Sequence, residues 1–299
     1  MLTFKDLHPI TGRGLGYPIG WVDPYREAWT TAGKAVSRPT VVNQEHINDL
    51  LSCGLKWDSK DVWPPTPDTA FRVQLRFINR LVLDWLEAWR TGESVSAGEF
   101  MTWYTAQPAR FDALTQAWLH LLTDERLEIV EKLFAIAIRN LRVALESLDD
   151  LSALIGPTEQ SLSVGLVTLQ HDLALVEFGS HENGIEASWP GATLVSLELG
   201  KTHGYHIGRL ELPAAMHAFR TGVPPRQVVA WSLHTGEAVI QEVDQRWIET
   251  AIAGVTVSLE RITHIRNRQT IYVNGGSHCL GCPNATCCEF DESDEHDPF

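Results

Sequence analysis

Apolar residues recur at three- and four-residue steps over several long stretches of the chain. From about Thr69 to Trp89 the positions Phe71, Leu75, Ile78, Val82, Trp85, Leu86 and Trp89 keep that step, which predicts an amphipathic helix. Further helical periods run from about Arg110 to Leu122 and from about Asp124 to Leu148. The second of these puts Leu127, Val130, Leu133, Phe134, Ala137, Leu141, Leu145 and Leu148 on one face. Asn43 suits the cap of a shorter helix that reaches Cys53. Gly156-Pro157 reads as the end of this helical half. Beyond it the texture changes to short β-prone runs, Ser161 to Phe178 and Ala192 to Leu199, separated by Gly184 and Pro190-Gly191. A helical stretch from about Leu210 to Thr221 follows. Gln227 to Leu233 then reads as a strand, Thr235-Gly236 as a turn, and Glu237 to Val243 as the return strand. Asp244 suits the cap of a last helix through Ile265. Residues 1–40 are rich in Gly, Pro and Trp and show no clear period, so they read as an irregular arm packed through Trp21, Tyr25 and Trp29.

This pattern predicts an α/β fold of mixed α+β character with a helical N-terminal portion. The expected divisions are an arm over 1–40, a helical region over 41–155, an α/β core with a cysteine cluster over 156–288, and a tail over 289–299. Hydrophobic residues make up 44% of the 299, enough for a large core and too many for global disorder. No uninterrupted apolar run reaches the ~18 residues of a membrane span. The opening Met1-Leu2-Thr3-Phe4-Lys5-Asp6 lacks the basic-then-apolar order of a secretion signal. With an odd number of cysteines, five, a reducing compartment fits better than a disulfide framework, and the cytoplasm is the expected location.

The formal net charge is −14. Six acids and no Lys or Arg fall in the last eleven residues, which leaves −8 for the rest. An acidic body of this kind disfavours a broad, non-specific nucleic-acid surface, since that binding depends on clustered Lys and Arg. A local basic groove stays compatible with it. Arg72, Arg76 and Arg80 share one helix face and are candidates for phosphate contacts or for a solvated, ion-paired face. The segment Gly12-Arg13-Gly14-Leu15-Gly16 is a poor phosphate loop, because no apolar strand precedes it and no Lys-Ser/Thr follows.

The cysteines carry the sharpest signal. Cys53 stands alone, 225 residues pass without another, and Cys279, Cys282, Cys287 and Cys288 then fall together. Two cysteines separated by two residues can turn both sulfurs to one metal. A third, five residues on, can return from the next turn of chain, and Cys53 is the remaining thiol for a four-sulfur site. The spacing alone also accepts zinc, with His278 or Cys287 as substitute ligands, and buried structural thiols are the plainer alternative. Fastening residue 53 to residue 279 closes a loop of more than 200 residues, the kind of closure that restricts an unfolded chain most.

One Cys before the core and Cys-x2-Cys-x5-Cys after it resembles the RecB-like branch of the PD-(D/E)XK nucleases that carry an iron–sulfur cluster. Members include CRISPR-adaptation nucleases and the nuclease domains of bacterial recombination helicase–nucleases. The order strand, strand, helix, strand, turn, strand, helix over residues 160–266 is similar to that family's core. The resemblance implies a [4Fe–4S] cluster on Cys53, Cys279, Cys282 and Cys288. It also implies a Mg²⁺ or Mn²⁺ site on two carboxylates, Asp172 in Gln170-His171-Asp172 and Glu198 in Ser196-Leu197-Glu198-Leu199-Gly200-Lys201. Lys201 would assist them. The family's lysine position holds Gly200, with Lys201 one residue later, and Glu211 stands where the family has Gln. His171, His181, His203 and His206 surround the acids in sequence and are further candidate ligands.

The implied function is DNA processing in a defence, CRISPR-adaptation or recombination system, with DNA and larger protein assemblies as partners. Two alternatives stand beside it. One is a catalytically degenerate nuclease fold serving as a structural or DNA-guiding subunit. The other is a zinc-stabilised interaction module.

Overall fold

Helix starts in this protein are set by side-chain acceptors at the positions where free amides need them. In the computed structural model, which describes residues 20–54, 57, 69–93, 96–107, 110–146, 154–157, 160–178, 192–267 and 273, Asn43 accepts from the His46 amide at 2.9 Å and opens α2 (Gln44–Ser52). Thr69 opens the long α3 (Ala70–Arg90), and Ser96 and Glu99 form a reciprocal capping box at α4 (Ala97–Thr105). Asp112 opens α5 (Ala113–Leu121), which is followed by α6 (Asp124–Glu146). Asp244 accepts from the Trp247 amide at 2.7 Å and opens the last helix, α9 (Gln245–Arg266).

The arm is not irregular throughout. Asp23–Ala35 forms a helix, α1, with Pro24 in its first turn and Lys34 in its last. Trp29 and Gly33 of α1 are buried, and the Trp29 indole nitrogen donates to the Thr256 hydroxyl of α9 at 2.8 Å. Gly156-Pro157 likewise does not simply end a helix. It belongs to a strand, β2 (Leu154–Pro157), at a sheet edge, where proline's missing amide is tolerated.

Among the described residues the strands form two sheets. In the small one, β1 (Thr40–Val42) runs parallel to β4 (Val167–Gln170), which pairs antiparallel with β3 (Ser161–Val164). The larger sheet has the order β2, β5 (Leu175–Phe178), β6 (Thr193–Glu198), β7 (Gln227–Ser232), β8 (Ala238–Glu242). β5 and β6 are antiparallel, with Leu175 opposite Ser196. β6 and β7 are parallel, joined by a crossover that contains the short α7 (Tyr205–Gly208) and α8 (Glu211–Thr221). The single run Ser161 to Phe178 thus divides into three strands across both sheets.

Alternation along the large sheet sends side chains into two cores. Val176, Val195, Leu197, Val229 and Trp231 pack with α3, α4, α5 and α6. Leu175, Leu194, Val228 and Ala230 pack with α1, α2, α8 and α9. Both faces are covered, which is why β6 and β7 read as almost continuous apolar runs rather than as alternating ones. The result is a mixed α+β, three-layer arrangement. Among the described residues no helix is long and apolar enough to cross a membrane.

Candidate functional site

The parallel pair β6–β7 and β5, antiparallel to β6, bring three strand ends together at one end of the large sheet. The carboxyl ends of β6 and β7 lie there, together with the entry to β5. A crevice outside the carboxyl ends of parallel strands is where open α/β sheets commonly bind ligands. Glu198, the last residue of β6, lies at this end. Asp172, three residues before β5, is brought to it by the antiparallel register that pairs Leu175 with Ser196 and bonds the Leu197 amide to the Ala174 carbonyl.

Both acids meet one guanidinium. Arg209, in the turn between α7 and α8, has one terminal nitrogen 3.6 Å from Asp172 Oδ1 and the other 3.7 Å from Glu198 Oε2. Glu198 is only 14% exposed, against 77% for Asp172. Its other oxygen accepts from the Ser196 hydroxyl at 2.7 Å, two residues back on the same face of the strand. A largely covered carboxylate at the end of an apolar strand is costly unless hydrogen-bonded or paired, and Ser196 and Arg209 meet that requirement.

Histidines stand beside the acids. His206 of α7 is buried, and its Nε2 stands 4.0 Å from Glu198 Oε2. The other ring nitrogen takes the His203 amide at 2.9 Å, which fixes the ring's orientation. The exposed Tyr205 ring lies against His206 with centroids 4.0 Å apart, and His203 lies 6.0 Å from Tyr205. His171 is buried beside Asp172, while His181 lies outside the described residues.

The backbone at this end is held from both sides. The Leu233 amide donates to the Glu198 carbonyl at 2.7 Å. Asn140, buried on α6, donates to the Leu233 carbonyl at 2.6 Å and to that of His234 at 3.3 Å. The helical layer therefore fixes the strand end that carries Glu198. Glu211, in the first turn of α8, has its carboxyl pushed up by burial. Gln44 of α2 accepts from the neighbouring Leu212 amide at 2.9 Å and so caps α8 from outside.

Lys201 is exposed in the loop beyond β6. Because the strand ends at Glu198, its side chain is not governed by strand alternation. The cation that reaches both acids is Arg209, which the sequence pattern does not single out. Its signal, an Arg two residues before Glu211 in the helix motif, is weak. The Arg72–Arg76–Arg80 face is solvated and in part ion-paired, with Arg80 3.0 Å from Asp84.

The oxygen donors at the acid pair, two carboxylates and a hydroxyl, are of the hard kind that suits Mg²⁺ or Mn²⁺, with the softer His206 imidazole beside Glu198. Among the described residues no three Asp, Glu, His or Cys side chains stand close enough together to hold a metal as placed. For the cysteine set, Cys53 is buried where α2 ends, and its amide donates to the Asp49 carbonyl at 2.7 Å. Cys279, Cys282, Cys287 and Cys288 lie outside the described residues. Compared with family models the chain matches none, and it matches no curated protein.

Proposed function

We propose that this protein is an iron–sulfur, RecB-like DNA-processing protein that hydrolyses phosphodiesters at the Asp172–Glu198 pair. One observation carries the reading. Two acids 26 positions apart, singled out by their motif positions in the sequence, one closing β6 and the other three residues before the antiparallel β5, meet one guanidinium at the end of these strands. The strand order supports it too. An antiparallel pair followed by a helical crossover to a parallel strand is the arrangement expected of a PD-(D/E)XK core.

Asp172 and Glu198 would hold the divalent cation, which supplies charge neutralisation at the phosphate and a lowered pKa for its attacking water. The chain's own contribution is placement. Ser196 fixes one oxygen of Glu198, leaving the other to face Arg209 and His206. Asn140 and Leu233 fix the backbone of that strand end. DNA is the substrate class of this reading, within a defence, CRISPR-adaptation or recombination assembly. The cluster would be structural and held by Cys53, Cys279, Cys282 and Cys288.

A degenerate, non-cleaving scaffold is the second reading, favoured by Gly200 at the lysine position and by the exposed Lys201. Cleavage of single-stranded and duplex DNA with Mn²⁺, compared between wild type and Glu198→Gln, decides between them. Cleavage that the substitution abolishes supports the nuclease. Equal behaviour of the two proteins removes Glu198 from any catalytic role.

A further inference from the structure

Among the described residues one cation, Arg209, approaches both acids, and it does not come from the strand. Gly200 has no side chain, and Lys201 is exposed beyond the end of β6. Arg209 instead approaches from the turn between α7 and α8, with its two terminal nitrogens 3.6 Å and 3.7 Å from different carboxylates. Those separations are longer than the 2.7–2.9 Å of a tight charge-assisted hydrogen bond. The guanidinium is therefore held by charge more than by a locked fork. It is also 40% exposed, so it borders both the acids and the open side where a substrate would lie.

Resting on the nuclease reading, we propose that Arg209 is the cationic catalytic residue of this site: it neutralises Asp172 and Glu198 while they are empty, and it turns to the scissile phosphate when a divalent cation takes the acids. Three features carry this assignment. A divalent cation and a guanidinium compete for the same oxygens, so occupancy of the acids by one repels the other. The turn places Arg209 between α7 and α8 rather than inside a helix, with its side chain 40% exposed and so not locked by packing. And the site has no other cation within reach of both acids among the described residues.

In the reaction a water oxygen bonds to phosphorus as the bond from phosphorus to one sugar oxygen breaks. The water gives up one proton to solvent and the departing sugar oxygen takes one up, leaving a phosphate monoester and a hydroxyl. Negative charge gathers on the non-bridging oxygens between these states. A guanidinium stays protonated throughout, so Arg209 cannot be the base. Its role is to oppose that gathering charge, the kind of contribution whose removal lowers turnover by about 100-fold or more.

The test measures two quantities on the full-length protein for wild type, Arg209→Met, Arg209→Lys and Glu198→Gln. The first is Mn²⁺ affinity by electron paramagnetic resonance titration, and the second is Mn²⁺-dependent cleavage of a labelled DNA oligonucleotide. The expected result has opposite signs. Arg209→Met binds Mn²⁺ several-fold more tightly, because its competitor is gone, yet cleaves about 100-fold more slowly. Arg209→Lys falls between Met and wild type in rate, and Glu198→Gln loses both binding and cleavage. A purely structural arginine would not tighten metal binding on removal.

If Arg209→Met cleaves like wild type while Glu198→Gln is inactive, the assignment of Arg209 is overturned and the nuclease reading stands. The assignment is equally overturned if Arg209→Met leaves Mn²⁺ affinity unchanged or weakens it. If wild type itself shows no Mn²⁺-dependent cleavage, the nuclease reading fails and the catalytic role of Arg209 fails with it.

Discussion

The Arg266 guanidinium stands 4.4 Å from the centre of the Trp57 ring. The last turn of α9 therefore leans on a side chain only four residues past Cys53. Arg261, one turn earlier on α9, donates to the carbonyls of Leu50 and Leu51, and Asn267 donates to the Ala35 carbonyl at 3.0 Å. The chain thus leaves α9 beside the end of α2. Eleven residues separate Asn267 from Cys279, a reach of about 40 Å at full extension, so distance is no obstacle to a shared site with Cys53.

That geometry sharpens the cysteine prediction. Anaerobically purified protein is expected to carry about four irons and four acid-labile sulfides per chain, and Cys53→Ser and Cys288→Ser are each expected to lose most of them. Cys287→Ser should retain them. Zinc without sulfide would sink the iron–sulfur reading and favour the zinc-stabilised module. Metal and sulfide analysis of the four proteins side by side is sufficient.

Asn140 is expected to matter well beyond its own helix. Its amide is buried and donates to two carbonyls just past the end of β7, and the Leu233 amide there holds the Glu198 carbonyl. Asn140→Asp keeps the shape but turns acceptor atoms toward acceptors. A loss of about 1–3 kcal/mol in urea denaturation is expected, the usual cost of leaving a buried polar group without its partner. Mn²⁺ affinity should fall along with stability, because the strand end that presents Glu198 is loosened. Normal affinity in a destabilised protein would show that Asn140 serves packing alone.

Glu211 offers a pH test. Burial pushes its carboxyl above the ordinary value of 4.5, against the pull of the helix N-terminus, which favours an anion in the first turn. The folded protein therefore holds this proton more tightly than the unfolded chain does. Ionisation costs stability, and the cost grows as pH rises from 4.5 through the folded value and is constant above it. Glu211→Gln removes the ionisation. A thermal midpoint a few degrees higher is expected at pH 8, with the difference closing as the pH is lowered towards 4.5. A gain that persists unchanged in acid would mean that the carboxyl charge is not its source.

What could be read from the chain follows what local chemistry dictates. The caps at Asn43 and Asp244, the period of α3 and the hairpin of β7 and β8 rest on neighbours in sequence, and the helices and strands stand where those signals put them. Asp172 and Glu198 are named from the family resemblance, and their common approach to Arg209 depends on a strand register that no local pattern specifies. Helix α1 escapes the periodicity because Thr30, Thr31 and Gly33 interrupt its apolar stripe, although Asp23-Pro24 is a sound helix start. Arg209 escapes for a stronger reason. Its significance lies entirely in what the fold sets opposite it, and an arginine in a turn carries no such information alone.

The docking of α1 supplies the last prediction. Gly165, at φ +62°, turns the β3–β4 hairpin, and a Cβ built there would run into the Gly33 carbonyl group. From the other side, a Cβ at Gly33 would overlap the Val164 carbonyl oxygen. The two backbones approach closely because the Leu166 amide donates to the Gly33 carbonyl at 2.9 Å, and the Leu166 carbonyl accepts from the Thr40 amide at 3.0 Å. One hairpin thus joins α1 to β1 through backbone hydrogen bonds as well as through the core that Trp29, Val42, Val164 and Val167 share. Gly165→Ala combines a left-handed strain with a backbone clash that no rotamer can relieve, and at least about 2 kcal/mol of destabilisation is expected. Gly92→Ala is the control, since it shares a positive φ, +89°, but meets nothing within 4 Å. If Gly165→Ala costs no more than Gly92→Ala in urea denaturation, the close approach of α1 to the hairpin is not a source of stability. A markedly larger loss, with faster proteolysis in the N-terminal forty residues, ties α1 into the folded core.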